Sequence, residues 1–236
     1  MGQLIMDKAK QLSRPVDILE IGCGEVWTLR YLYKAFVSKK EEIVNSYTGL
    51  DIDPACLVDW WVDDDLSVTE HQWFKTMTGG KGRIVLQDLT TNPEPPVEDE
   101  SQDVFLTTEV IEHMGREFIE PWIEASWRKL RPNGIAYIST PNHDGSNDKL
   151  PKDHVYEWGY EELKSLLTKY YTIEAHYGTF TQMNNFKKGH RTNLRWDQSV
   201  IDAIQGRFDK NWSRVILATV YPETSNNVNW ILRKKT

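Results

Sequence analysis

Apolar positions along the first two-thirds of the chain switch between strand-like and helical spacing. Val16-Asp17-Ile18-Leu19-Glu20-Ile21 is a short β-branched run that stops at Gly22, and Leu29, Leu32, Tyr33 and Phe36 then recur at helical spacing over Thr28 to Val37. That pattern is strand, glycine turn, helix. Further strand-like runs occupy Tyr47 to Ile52, Arg83 to Gln87, Asp103 to Thr107 and Ile135 to Ser139, with helix-like stretches between most of them. Such alternation predicts an α/β fold whose mostly parallel sheet carries helices on both faces. The last third predicts a helix over Glu161 to Lys169 and strands over Tyr171 to Tyr177 and Val228 to Arg233, the latter two as a hairpin-like closing pair in a seven-stranded sheet.

Between those last strands, Thr179 to Tyr221 is longer than a simple connection. It is expected to contain a helix or two, to cap a pocket and to choose the substrate, with Phe180, Phe186 and Trp196 as aromatic contacts. Thr91-Asn92-Pro93-Glu94-Pro95-Pro96, followed by Glu98-Asp99-Glu100, reads as a polar connector, and Gly79-Gly80-Lys81-Gly82 as a turn. No internal repeat is visible.

At 236 residues and 39% apolar content the chain is expected to fold as a single domain, residues 1–236, with 179–221 as an insertion. A net charge of −7 argues against holding nucleic acid by broad phosphate neutralisation, while leaving room for a local basic patch. Two cysteines, Cys23 and Cys56, cannot build a disulfide framework, so a reducing, cytoplasmic compartment is expected. Met6 stands where a myristoylation signal wants Ser or Thr, no signal-peptide core follows, and no apolar run approaches the roughly 20 residues of a membrane span. A soluble protein without a membrane partner is expected.

The candidate chemistry begins at the loop after the first strand. Gly22 and Gly24, on either side of Cys23, let backbone approach a ligand at a helix N-terminus. A nucleotide-binding dehydrogenase uses a similar loop, and here Val26 stands where a third glycine would be. The second strand ends Gly49-Leu50-Asp51-Ile52-Asp53, where a carboxylate, best Asp51, can accept both hydroxyl protons of a ribose. The third ends Leu86-Gln87-Asp88-Leu89, where Asp88 can accept from an adenine amino group while Leu89 packs on the ring; the plainer alternative for Asp88 is a turn cap.

With Leu19-Glu20-Ile21-Gly22-Cys23-Gly24, Gly49-Leu50-Asp51-Ile52-Asp53, Gln87-Asp88-Leu89, Glu109-Val110-Ile111-Glu112-His113 and Gly134 to Asn142, the chain resembles the class I S-adenosylmethionine-dependent methyltransferases over roughly Pro15 to Tyr177. That resemblance implies a Rossmann-like fold and a cofactor site. Glu20 and the glycine loop, with Gly22, Cys23 and Gly24, would face the methionine part of S-adenosylmethionine. Asp51 would hold the ribose, Asp88 and Leu89 the adenine, Ile52 would join the cofactor site, and Thr108 with Glu109 would close the pocket.

Thr107 to His113 is expected to open a helix, putting Glu109, Glu112 and His113 on one face at helical spacing. With His154 from the later Lys152-Asp153-His154-Val155-Tyr156-Glu157-Trp158 segment, these oxygen and imidazole groups suit Mg²⁺ or Mn²⁺. Helix capping, solvation and a satisfied core histidine are the structural alternatives. The pattern resembles two metal-dependent methyltransferase groups, the 2′-O-methyltransferases of small-RNA ends and the ubiquinone-pathway O-methyltransferases. That resemblance implies a divalent metal holding adjacent substrate oxygens. His113, His154 and His143 are the candidate bases. The expected activity is O-methylation of a small molecule with neighbouring hydroxyls. An RNA terminus is the alternative acceptor, supported by the basic cluster Lys187, Lys188, His190, Arg191 and Arg195, and a non-catalytic S-adenosylmethionine-binding partner protein is a third possibility.

Overall fold

The computed structural model describes residues 1–36, 43–54, 77–78, 80–143, 150–181 and 196–236. In chain order the described elements are α1 (Gly2–Leu12), β1 (Val16–Ile21), α2 (Trp27–Phe36), β2 (Val44–Asp51), β3 (Gly82–Leu86), β4 (Gln102–Thr108), α3 (Arg116–Lys129), β5 (Leu130–Pro141), α4 (Tyr160–Tyr170), β6 (Tyr171–Gly178), α5 (Gln198–Arg207), α6 (Lys210–Val220) and β7 (Asn227–Lys234). The seven strands form one sheet in the order β3-β2-β1-β4-β5-β7-β6. This is the expected Rossmann-like α/β architecture.

All of β1 is buried, Asp17 and Glu20 included, as a central strand covered on both faces requires. It pairs in parallel with β2 on one side, Ile18 opposite Tyr47, and with β4 on the other, Ile18 opposite Val104. The order therefore reverses at β1, and in open parallel sheets ligands bind beyond the strand ends at that reversal.

The chain divides into two compact units, residues 1–108, 121–137 and 234–236, and residues 109–120 and 138–233. In the first, Ile18, Leu19, Leu50, Phe105 and Trp122 are fully buried, and the Phe105 and Trp122 rings meet edge-on at 5.7 Å. The N-terminal ends of its strands are tied by charge: Arg14 reaches Asp103 at 2.7 Å, and Arg131 bridges Asp17 and Asp103 at 2.8 and 2.9 Å.

In the second unit Leu163, Leu167, Tyr171, Leu217 and Trp230 are buried. β6 and β7 are neighbours, and the pairing continues past them in an antiparallel bridge between Thr181 and Ser225. Among its described residues the stretch between them contains two helices, as expected, each with an aspartate N-cap. Asp197 accepts from the Ser199 N–H at 2.8 Å, and Asp209 accepts from those of Asn211 and Trp212 at 2.8 and 3.1 Å. Arg214 lies 3.6 Å over the Phe180 ring and donates to the Thr181 carbonyl. Phe186 and the basic cluster Lys187, Lys188, His190, Arg191 and Arg195 lie outside the described residues. Among the described residues, no helix is long and apolar enough to cross a membrane.

Candidate active site

The loop after β1 is shaped by three residues in the left-handed region, Gly22 (φ 68°), Gly24 (φ 45°) and Val26 (φ 47°). The glycines adopt it without penalty; a β-branched valine does not, so Val26 holds a strained version of the turn that a third glycine would make freely. Val26 is also fully buried, which compensates. The Gly22 and Cys23 N–H groups donate to the Leu50 carbonyl at 2.8 and 3.1 Å, docking the loop on the end of β2. A side chain built at Gly24 would meet nothing within 4 Å, so open space lies over this backbone.

Asp51 joins loop and strand end. Its Oδ2 accepts from the Gly24 N–H at 2.7 Å and its Oδ1 from the Asp53 N–H at 3.0 Å. Each oxygen keeps a lone pair for a ligand hydroxyl. Ile52 beside it is 67% exposed, an apolar surface with no packing role in the described fold. Asp88 accepts from both the N–H and the hydroxyl of Thr90 through Oδ1, at 2.9 and 2.7 Å, which is the turn-cap geometry, and the Thr90 hydroxyl is the main cause holding its carboxyl below the usual range. Leu89 is buried, and Thr108 closes β4.

Glu20 is 4% exposed, and its two oxygens accept from the Thr28 and Tyr47 hydroxyls at 2.7 Å each. Burial pushes its carboxyl up to about 7, against those two hydrogen bonds. Glu20 thus clasps the first turn of α2 and β2, and its oxygens meet protein.

The expected helix from Thr107 to His113 does not form. β4 runs to Thr108, Glu109 turns into the left-handed region (φ 54°), and a single 3₁₀ turn covers Ile111–His113 before α3 begins at Arg116. Helical spacing therefore does not place Glu109 beside Glu112 and His113. Glu109 Oε1 instead accepts from the Ser139 hydroxyl and the Asn227 amide, both at 2.7 Å. The structure brings together three of the four expected ligands: one ligand atom each from Glu112, His113 and His154, all within 4.8 Å of one another.

This cluster is held from behind. The 3₁₀ turn and the 153–157 segment are laced together, because the Val155 and Tyr156 N–H groups donate to the Glu112 carbonyl at 2.7 and 3.1 Å. Glu112 is 1% exposed, with Oε2 accepting from Thr140 at 3.0 Å, and burial followed by the nearby Glu109 charge raises its carboxyl above the ordinary range. His113 Nδ1 sits 2.7 Å from the Asp153 carbonyl, His154 Nδ1 sits 2.6 Å from Glu157 Oε1, and the two rings meet edge-on at 5.2 Å. In both imidazoles Nδ1 faces a protein oxygen, and His113 Nε2 lies 4.0 Å from Glu112 Oε1. His143 is not one of the three; its N–H donates to the Trp158 carbonyl at 2.9 Å.

The methyltransferase domain family matches residues 1–187. The chain belongs to that family. Its similarity extends to a probable S-adenosylmethionine-dependent methyltransferase of Mycolicibacterium smegmatis, 27% identical over 171 residues that make up 70% of this chain and 55% of that protein. The chain therefore spans about half the length of that curated relative. Among solved structures the fold is shared with the [4+2]-cyclase SpnF (TM-score 0.58, 15% identity, 100% of this chain and 81% of that one). A methyltransferase of Archaeoglobus fulgidus shares it too (TM-score 0.55, 16% identity, 99% and 95%). A cyclase in this company means that the methyltransferase fold alone does not name the reaction.

Several residues of this methyltransferase domain escaped the sequence. Glu157 lies three residues from His154, and a capping or spacing rule offers no reason to pair them outside a helix. Ser139, Thr140 and Asn227 reach Glu109 and Glu112 across the sheet, which only strand order brings about.

Proposed function

We propose that the chain transfers a methyl group from S-adenosylmethionine to a hydroxyl of a small molecule that carries a neighbouring hydroxyl, with Glu112, His113 and His154 holding a divalent cation. The observation that carries this reading is the convergence of those three side chains with both Nδ1 atoms occupied from behind. The donors fit such an ion: one carboxylate and two imidazoles, which favours Mn²⁺ over Mg²⁺ relative to an all-oxygen set. A bound cation would fix adjacent acceptor oxygens and acidify the one to be methylated.

The chain's own residues divide the remaining work. Asp51, with lone pairs left on both oxygens, accepts from the ribose hydroxyls, the open backbone at Gly24 admits the ligand, and Asp88, Leu89 and Ile52 border the adenine. S-adenosylmethionine supplies the sulfonium methyl. Family membership and the name of the mycobacterial relative support this cofactor. We assign acceptor choice to Thr179–Tyr221 and a cytoplasmic location to the enzyme, the latter on its two-cysteine composition.

A metal-free route is the second reading, favoured by the His154–Glu157 pair. An imidazole whose Nδ1 faces a carboxylate presents Nε2 as a general base. His113 and His143 are then the lesser bases.

Labelled S-adenosylmethionine should be offered with a catechol, a ribonucleoside 2′,3′-diol, a 3′-terminal RNA diol and the corresponding mono-hydroxyl compounds. The proposal expects transfer to a small diol, loss with chelator and recovery with Mn²⁺. Chelator-indifferent transfer selects the metal-free route, and preference for the RNA end replaces the small molecule. Cofactor binding with no transfer to any acceptor leaves a binding protein.

A further inference from the structure

We infer that Glu157 is the positioning residue of the imidazole–carboxylate cluster, holding a proton of His154 on Nδ1 and so leaving Nε2 as that ring's ligand atom. The inference rests on the proposed cation site for one of its two tests and stands without it for the other.

The two imidazoles of the cluster are supported differently. His113 is 45% exposed in its side chain, and its Nδ1 meets a neutral backbone carbonyl, that of Asp153. His154 is 16% exposed and meets a charged side chain that is itself only 15% exposed, at 2.6 Å. A carboxylate is acceptor-only when ionised, so with Glu157 ionised the 2.6 Å contact is made by a proton on His154 Nδ1. In the neutral ring that leaves the Nε2 lone pair for a ligand. An anionic partner behind an imidazole strengthens it as a metal ligand, and such partners are worth about 10–100-fold in metal affinity.

Among the described residues, the carboxyl recorded at His154 Nδ1 is that of Glu157. The neighbouring carboxylate of this unit, Glu162, is engaged elsewhere, pairing with Arg116 at 2.7 Å and accepting from the Tyr156 hydroxyl at 2.8 Å. The backbone of the 153–157 segment is independently anchored by the Val155 and Tyr156 N–H groups on the Glu112 carbonyl. Removing the Glu157 side chain therefore leaves the segment docked and His154 free to turn.

The test compares Glu157→Gln, Glu157→Ala and the control Glu162→Ala in the full chain, first by nitrogen-15 resonances of the imidazole rings at fixed pH without metal. The unaltered chain and Glu157→Gln, whose amide oxygen still accepts, should show His154 with its proton on Nδ1. Glu157→Ala should show a tautomer mixture for His154 with His113 unchanged, and Glu162→Ala should show no change. In calorimetry with Mn²⁺ alone, Glu157→Ala should weaken binding about 10–100-fold and Glu157→Gln by about tenfold or less. An unaltered His154 tautomer in Glu157→Ala overturns the inference, as does simultaneous loss of the His113 signature, which would mean a collapsed segment. If the unaltered chain binds no Mn²⁺, the cation site of the proposed function fails, while the tautomer result still decides the role of Glu157.

Discussion

Asp51 accepts a hydrogen bond from the Gly24 N–H at 2.7 Å, so the acidic end of the second strand grips the glycine loop through its side chain. The residue that is expected to hold the ribose also shapes the loop beside it. Asp51→Ala should weaken S-adenosylmethionine binding by at least ~10-fold, through loss of charge-assisted hydrogen bonds. Asp51→Asn, which retains one acceptor oxygen, should fall between. Calorimetric titration checks this, and unchanged affinity in Asp51→Ala removes the residue from the site.

Glu20 makes stability depend on pH. Its carboxyl is raised to about 7 by burial, whereas the unfolded chain titrates near the ordinary value. Between those values the folded protein binds the extra proton, so stability is greatest below the unfolded value and falls as pH rises, by ~1.4 kcal/mol per unit from this group. Glu20→Gln, a neutral isostere that can still bond Thr28 and Tyr47, should flatten urea-midpoint profiles between about pH 5 and 7. The same slope in both proteins would assign it to other groups.

Val26 invites an inverted truncation series. Its left-handed backbone costs roughly 1–2 kcal/mol, and its buried side chain contributes roughly 1.5–3. Glycine removes both, whereas alanine loses packing and keeps part of the strain. Val26→Gly should therefore destabilise no more than Val26→Ala in denaturant unfolding. A clearly larger loss for glycine would show that the valine is unstrained.

The left-handed turn at Glu109 separates two carboxylates that helical spacing would unite. Glu112→Gln should reduce Mn²⁺ affinity by an order of magnitude or more, since it neutralises the only carboxylate in the three-residue group. Glu109→Gln should cost clearly less, because its Oε1 is taken up by Ser139 and Asn227. Equal losses in calorimetry would return Glu109 to the ligand set.

The sequence by itself determined the strands, the glycine loop and the acidic strand ends. Central parallel strands are buried on both faces and must read as continuous apolar runs, and a chain that turns sharply from strand to helix needs glycine at the turn. It also carried the family, through motifs that lie near the ends of those strands. What only the tertiary structure decided is which side chains meet. The placement of β7 between β5 and β6 sets Asn227 against Glu109, the backbone reversal at Glu109 breaks the helix that its neighbours' spacing suggests, and the docking of 153–157 on the Glu112 carbonyl brings His154 and Glu157 to His113. Spacing rules apply within one regular element, whereas each of these contacts depends on strand order or on one residue leaving its regular conformation.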